Sequence, residues 1–411
     1  MWLFNKFIGR LLKRGQLTIQ YANGEVKTYG APDPAINPVT IRFTDAGVPN
    51  FIARHPQLHA AEAFLDGRLV FEQGDIRDLI DIIRINGRFE EGKGSYLKGT
   101  LATQLKHLTK TRMTKRNFEK QSKKNVAHHY DLSDRLYDLF LDADRQYSCA
   151  YFTDAANSLE QAQLDKKTHI AAKLYLKPGQ KVLDIGCGWG GMALYLNRVA
   201  DVDVLGITLS EEQLKVARRR AEEAGVADRV KFELIDYRNV TGTFDRIVSV
   251  GMFEHVGTPH YDAFFGKCRE LLAMDGVMLL HTIGRYGEPG VTDAFTLKYI
   301  FPGGYNPALS EIIAASEKSR LMVADVETLR LHYAYTLDQW YDRTVAARDA
   351  LIELYDERFY RLWTFYLAGA RAAFFHGNLC NYQIQYIRDR RTLPITRCYL
   401  DEEEIRLHAL K

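Results

Sequence analysis

Hydrophobic positions change their period twice along this chain, and each change marks a different kind of structure. In the first fifteen residues Trp2, Leu3, Phe4, Phe7, Ile8, Leu11 and Leu12 recur at near-helical spacing, with Lys6, Arg10, Lys13 and Arg14 in the gaps. The spacing predicts an amphipathic helix, either docked on the protein's own core or lying on a membrane surface. Alternation takes over at 18–29 and 39–45, with turn pairs Asn23-Gly24 and Pro32-Asp33, and helical spacing returns at 55–65 and 76–85. Short strands and two helices follow from those periods. A small mixed α/β domain over residues 1–105 is the expectation.

Between Lys106 and Lys124 eight basic residues stand against the single acid Glu119. Such a run reads as a solvated linker or as a surface for anionic headgroups. It carries no recognisable base-reading motif, so nucleic acid is not the expected partner. Residues 125–411 are expected to form a second, larger domain. From Gln180 onward, strands at 181–185, 202–207, 230–235, 244–250 and 277–283 alternate with helices at 192–199, 211–223 and 261–272. That rhythm implies a doubly wound, mostly parallel α/β sheet. Further strands at 321–329 and 381–387 bring it to seven, with long helical stretches at 337–354 and 357–374 between them. Ser158-Leu159-Glu160-Gln161 and Ser210-Glu211-Glu212-Gln213 have the form of capping boxes and mark two helix starts.

Composition adds exclusions. At 46% hydrophobic and 12% aromatic the chain has ample material for a core, and no apolar run is long enough to span a bilayer. Lys6 and Arg10 interrupt the first apolar stretch, which argues against a secretory signal and for cytoplasmic residence. The five cysteines are odd in number and lack metal-ligand spacing, so reduced thiols and no bound metal are expected. The net charge of +3 is an average over unlike parts: residues 1–15 carry +4, Lys106–Lys124 carry +7, and the remainder is at −8. This division suits a protein held peripherally at an anionic membrane, at its inner face.

The candidate chemistry begins at Val182, where an apolar strand runs into Gly186-Cys187-Gly188-Trp189-Gly190-Gly191 and opens a helix. Glycines there let the backbone approach a ligand, and the helix start offers free N–H groups. NAD-binding and S-adenosylmethionine-binding proteins both use such turns. Asp184, two residues before Gly186, gives the Asp-x-Gly-x-Gly form of the second class. About 20 residues on, a dinucleotide site wants an acid for the ribose. This chain has Gly206-Ile207-Thr208-Leu209-Ser210 instead, which disfavours a nicotinamide dehydrogenase. Asp236 and Tyr237, beyond the third strand, suit an adenine: one accepts from its amine, the other stacks. Plainer roles stay open, with Asp236 ending a strand, Gln213 capping a helix and Trp189 filling core.

Three further segments fall where this fold places its catalytic edge: Tyr147-Ser148-Cys149-Ala150-Tyr151-Phe152, Gly251-Met252-Phe253-Glu254-His255-Val256-Gly257 and His281-Thr282-Ile283-Gly284. Together with His129-Tyr130-Asp131, Lys298-Tyr299-Ile300-Phe301-Pro302-Gly303-Gly304 and His332-Tyr333, they closely resemble the cyclopropane fatty acid synthase family, which includes the mycolic acid cyclopropane synthases. The resemblance runs in order from about Asn125 to Arg388. It implies a Rossmann-like methyltransferase sheet and an enzyme that uses S-adenosylmethionine (SAM) and bicarbonate. SAM-contacting positions correspond to Tyr147, Ser148, Gly186, Gly188, Thr208, Leu209, Gln213, Asp236 and Tyr237. The bicarbonate set corresponds to Cys149 and Ile283 through their backbones, with Glu254, His281 and Tyr333. Taken singly, Cys149 reads as a buried small hydrophobe, His281 as a strand-end hydrogen-bonder and Tyr333 as core. One departure stands at Asp134, where many members carry Asn.

The resemblance further implies a phospholipid substrate with cis-unsaturated acyl chains, and a lipid-engaging role for the N-terminal part. Apolar residues around Phe265, 297–301 and 362–375 are candidates for an acyl tunnel or for plain core. Two other outcomes stay open: methyl branching of the alkene without ring closure, and a non-catalytic lipid-binding protein with a relic SAM fold. A homodimer is also left open.

Overall fold

The computed structural model describes residues 2–92 and 134–410, so the basic run at Lys106–Lys124 and the His129-Tyr130-Asp131 motif lie outside the described residues. Two compact units divide the chain, and neither is contiguous. Among the described residues, the first gathers 2–92 with 292–300 and 337–378; the second holds 134–291, 301–336 and 379–410.

The first unit is built on a four-stranded sheet. Its strands β1 (Leu17–Gln20), β2 (Val26–Tyr29), β3 (Val39–Phe43) and β4 (Leu69–Gln73) lie in the order β2-β1-β3-β4. Alternation places Leu17, Ile19, Val39, Ile41 and Phe43 on the buried face. Against it the helix Trp2–Leu11 docks by Phe4, Ile8 and Leu11, with the Phe4 and Phe43 rings 5.7 Å apart, edge to face. Trp2 and Leu3 stay outside at 68% and 67% exposure, and Lys6 lies 4.7 Å over the Trp2 ring. The helix is therefore core on one face and bare on the other.

Helix Ile76–Ile85 starts in a closed capping box: Asp78 N–H donates to Asp75 at 2.9 Å and Asp75 N–H to Asp78 at 3.2 Å. Residues 337–378 join this unit through side chains that need partners. Arg371 donates to Asp81 at 2.7 Å and to Asp338 at 2.5 Å, Arg77 reaches Asp342 at 2.7 Å, and the Tyr341 hydroxyl donates to Asp75 at 3.0 Å. The contacts of 292–300 and 337–378 thus fall with the N-terminal segment, unlike a contiguous division at 105 and 125. The predicted helix over 337–354 is two helices, His332–Ala346 and Arg348–Leu354, and helix Glu357–Phe375 follows.

In the second unit β5 (Lys181–Ile185), β6 (Asp203–Thr208), β7 (Val230–Leu234), β8 (Phe244–Val250) and β9 (Leu272–Arg285) pair in parallel. Strands β10 (Met322–Leu329) and β11 (Leu379–Ile387) add antiparallel pairing, giving the order β10-β11-β9-β8-β5-β6-β7. This is the doubly wound, mostly parallel seven-stranded sheet expected above. Strand β5 lies between β6 and β8, so its C-terminal end is a topological switch point, where such sheets bind ligands. Phe265 is fully buried beneath the sheet, its ring 5.6 Å from Phe253 and 5.5 Å from Tyr386, which makes it core rather than tunnel wall. The cysteines are free thiols, four buried and Cys398 exposed, and among the described residues no cluster has the makings of a metal site. No helix of the described residues is long and apolar enough to cross a membrane.

Candidate active site

The turn after β5 has a shape that side chains would block. Gly186 sits at φ +85°, and a Cβ on it would come within 2.9 Å of Met252. Gly190, at φ +84°, would put a Cβ 2.7 Å from the Phe232 ring. Only glycine meets both demands at no steric cost. Helix Gly191–Ala200 starts directly behind, so the turn exposes backbone N–H groups at a helix N-terminus.

A cleft opens there, and Tyr147, Ser148, Gly186, Gly188, Thr208, Leu209, Gln213, Asp236 and Tyr237 all line it, as do Asp184, Trp189 and Val250. Thr208 donates its hydroxyl to Gln213 Oε1 at 3.1 Å, while Gln213 N–H donates to Ser210 Oγ at 3.3 Å. Gln213 therefore completes only half of a capping box; its side chain faces Thr208 and the cleft. Asp236 holds Arg238, taking its backbone N–H at 3.0 Å and its guanidinium at 2.8 and 2.6 Å. Tyr237 stands edge-on to Phe264 at 5.3 Å. Trp189 donates to Asp134 at 3.3 Å and meets Tyr137 edge to face, so it is both packed and cleft-facing.

These residues fit a SAM molecule. Asp184 is buried with Oδ2 unpartnered, and burial pushes its carboxyl up to about 7. A buried acceptor without a donor calls for one from a ligand.

The five residues of the expected bicarbonate set line no part of that cleft. They come from separate elements: Glu254 follows β8, His281 and Ile283 lie on β9, Cys149 lies in the segment before helix Leu159–Leu174, and Tyr333 lies on helix His332–Ala346. Glu254 is buried after β8; its Oε1 accepts the Ile283 N–H at 2.6 Å, while Oε2 has no partner. Burial pushes this carboxyl up to about 7. Cys149 is fully buried, and the next N–H, of Ala150, donates to Thr336 Oγ1 at 3.0 Å. His281 lies under β11, with Nε2 3.1 Å from the Asn381 amide and Nδ1 3.2 Å from the Gln383 amide. Burial lowers it to about 3, which keeps the ring neutral. Tyr333 is buried on helix His332–Ala346. The structure joins Glu254 to Ile283 directly; His281 is turned toward β11 instead.

Several polar residues here escaped the sequence reading. Lys166, fully buried, donates to Gln146 Oε1 at 2.7 Å and to Ser148 Oγ at 3.0 Å, and burial pulls it down to about 7. Asp144 is paired with Lys167 and Arg220, and Gln163 donates to the Ser148 carbonyl at 3.0 Å. These groups pin the Tyr147-Ser148-Cys149 segment. A helical Lys-Lys pair reads as solvent-facing, and only the stretch of polar residues with no apolar stripe at 160–168 hinted otherwise.

Known proteins resemble this chain over the residues of the second unit and beyond. Residues 117–384 match the family model described as mycolic acid cyclopropane synthetase. Over 299 residues the chain is 42% identical to the cyclopropane-fatty-acyl-phospholipid synthase of Escherichia coli (strain K12), covering 71% of this chain and 77% of that one. Over 284 residues it is 43% identical to a probable fatty acid methyltransferase of Pseudomonas putida, covering 66% and 72%. The solved structure of mycolic acid cyclopropane synthase CmaA1, complexed with SAH and CTAB, superposes with a TM-score of 0.61 at 36% identity, over 64% of this chain and 97% of that one.

Proposed function

Because the chain belongs to the mycolic acid cyclopropane synthetase family, as a SAM-dependent enzyme of the cyclopropane synthase class, we propose that it converts cis double bonds in membrane phospholipid acyl chains into cyclopropane rings, with bicarbonate as base. The observation that carries the bicarbonate reading is Glu254: buried, engaged by one oxygen with Ile283 N–H, and unpartnered at the other.

When bound, SAM supplies an electrophilic methyl group, and bicarbonate supplies a base. Everything else falls to the protein. An alkene is a poor nucleophile, and the cation formed on the acyl chain must lose a proton from the new methyl for the ring to close. A proton acceptor must therefore be held within hydrogen-bond reach of that carbon. Glu254, with its carboxyl raised to about 7, shares a proton with an anion instead of repelling it. Neutral His281 and the hydroxyl of Tyr333 complete the polar set, together with the backbones of Cys149 and Ile283. Burial of the cluster excludes water, which would otherwise trap the cation. In the cleft, Gly186, Gly188, Thr208, Leu209 and Gln213 hold the donor's backbone-facing side, Asp236 and Tyr237 its adenine, and Tyr147 and Ser148 its reactive end.

Residues 1–105 provide the contact with lipid, 106–124 link them to the catalytic residues 125–411, and the protein works peripherally at the inner face of the cell membrane. The bare face of helix Trp2–Leu11, with Trp2 and Leu3 beside Lys6 and Arg10, supports this assignment. Incubation with SAM and vesicles of cis-unsaturated phospholipid, followed by mass spectrometry, is expected to show a gain of one CH₂ with loss of the reducible double bond. A methylated product that keeps its double bond would overturn ring formation, and absence of any product would overturn catalysis.

A further inference from the structure

Behind His281 runs a chain of buried and half-buried polar groups that the proposed reaction does not use. His169 lies between two carboxylates, its Nε2 2.6 Å from Glu327 and its Nδ1 against Glu404. Glu327 also holds the ammonium of Lys173, and these two cations keep its carboxyl well below the usual range. Lys173 is 1% exposed and donates next to Gln383 Oε1 at 2.8 Å. An ammonium has donors only, so it is the oxygen of Gln383 that must face it. The amide NH₂ of Gln383 then points at His281 Nδ1, 3.2 Å away. A ring nitrogen that receives an N–H must itself be bare, so the proton of the neutral imidazole sits on Nε2. The Asn381 amide nitrogen lies 3.1 Å from Nε2, while the Asn381 oxygen has no partner. A neutral ring carries one proton and cannot accept from both amides, so with Gln383 fixed by Lys173 it is Asn381 that turns its oxygen toward Nε2–H.

We propose that Gln383, clamped by Lys173, is a positioning residue that locks His281 as the neutral Nε2–H tautomer and so gives the site a donor of fixed orientation. The inference rests on the proposed role of His281 in holding the base. Glu327 and His169 act one step further back, by keeping Lys173 in place.

The test uses the full-length protein labelled with ¹⁵N-histidine. In the wild type, the His281 nitrogen spectrum is expected to show protonated Nε2 and bare Nδ1 without any added ligand. Gln383→Glu keeps the shape and the Lys173 partner but places an acceptor at Nδ1, so the proton is expected to move there. Turnover of phospholipid vesicles should then fall at least tenfold, with the SAM dissociation constant unchanged within about twofold. Gln383→Met, which removes the hydrogen bond without reversing it, should give mixed tautomers and an intermediate rate. An unchanged tautomer in Gln383→Glu overturns the positioning role whatever the base proves to be. A reversed tautomer with undiminished turnover overturns instead the role of His281, and with it this part of the proposed site.

Discussion

The donor cleft and the polar cluster at the ends of β8 and β9 share one sheet, yet they are assembled in opposite ways. The cleft is made of backbone: glycines at positive φ, a helix start and short runs of consecutive residues. The polar groups there are two separate sets: Glu254 with the Ile283 N–H, and His281 with Asn381, Gln383 and Lys173, held by side chains from strands and a helix distant in sequence. A cleft of backbone tolerates exchange of many lining side chains. A cluster of buried polar groups does not, because each lost partner leaves another polar atom dry and unsatisfied.

The sharpest attempt to break that comparison is Glu254→Gln. It retains the oxygen that accepts from Ile283 N–H and removes the shared proton, so turnover is expected to fall by about 10²–10³-fold, as for loss of one preorganised donor in a buried site. SAM affinity, measured by calorimetry, should stay within about twofold. A parallel loss of SAM binding would mean that cleft and cluster are one site.

A smaller effect tests whether the cleft has a buried polar group of its own. Asp184 keeps its proton up to about pH 7 when folded, whereas the unfolded carboxyl releases it near its ordinary value of 3.8. Between those values the unfolded chain binds fewer protons, so stability falls as pH rises from about 4 to 7 and levels off above. Asp184→Asn removes this dependence. Urea unfolding at pH 5 and 7.5 should show the wild type losing on the order of 2 kcal/mol relative to the variant across that window. A constant gap would mean that the carboxyl is ionised throughout.

The smallest effect lies in the first unit. Reversing Lys6, Arg10 and Lys13 should each weaken sedimentation with anionic vesicles by about 1 kcal/mol. Arg14→Glu should do less, because Arg14 is already neutralised by Asp33 at 2.8 Å. Equal losses at all four positions would point to bulk charge rather than to the bare face of the helix.

What could be read from the sequence follows the same line. Strands β5 and β8 and the helix at 211–223 were legible to the residue, since an apolar run ending in glycine or beginning at a capping serine has few alternatives. All the expected SAM positions line one cleft because they lie in short contiguous motifs at strand ends. The partners of His281 were not legible. Asn381 and Gln383 alternate with apolar residues in β11, which reads as a strand with one wet face, yet both are buried. Lys166 and Lys173 were not legible for the same reason: polarity along a helix signals solvent unless the partners, distant in sequence, are known. Strand β4 was missed because its burial fades after Leu69, leaving too short an alternation to recognise.

The long excursion between β10 and β11 bears on the order in which the protein can be made. These strands pair antiparallel through Leu329 and Asn381, but the chain between them, from 337 to 378, folds with the N-terminal unit. A ribosome delivers residues from the N-terminus. Asp81 therefore meets Arg371 only after helix Glu357–Phe375 has emerged, and β10 joins β9 in the seven-stranded sheet only through β11. Both units are completed almost together, as residues 357–387 emerge. Strand β11 brings Asn381 and Gln383, so the amides beside His281 reach it only after residues 337–378 have emerged.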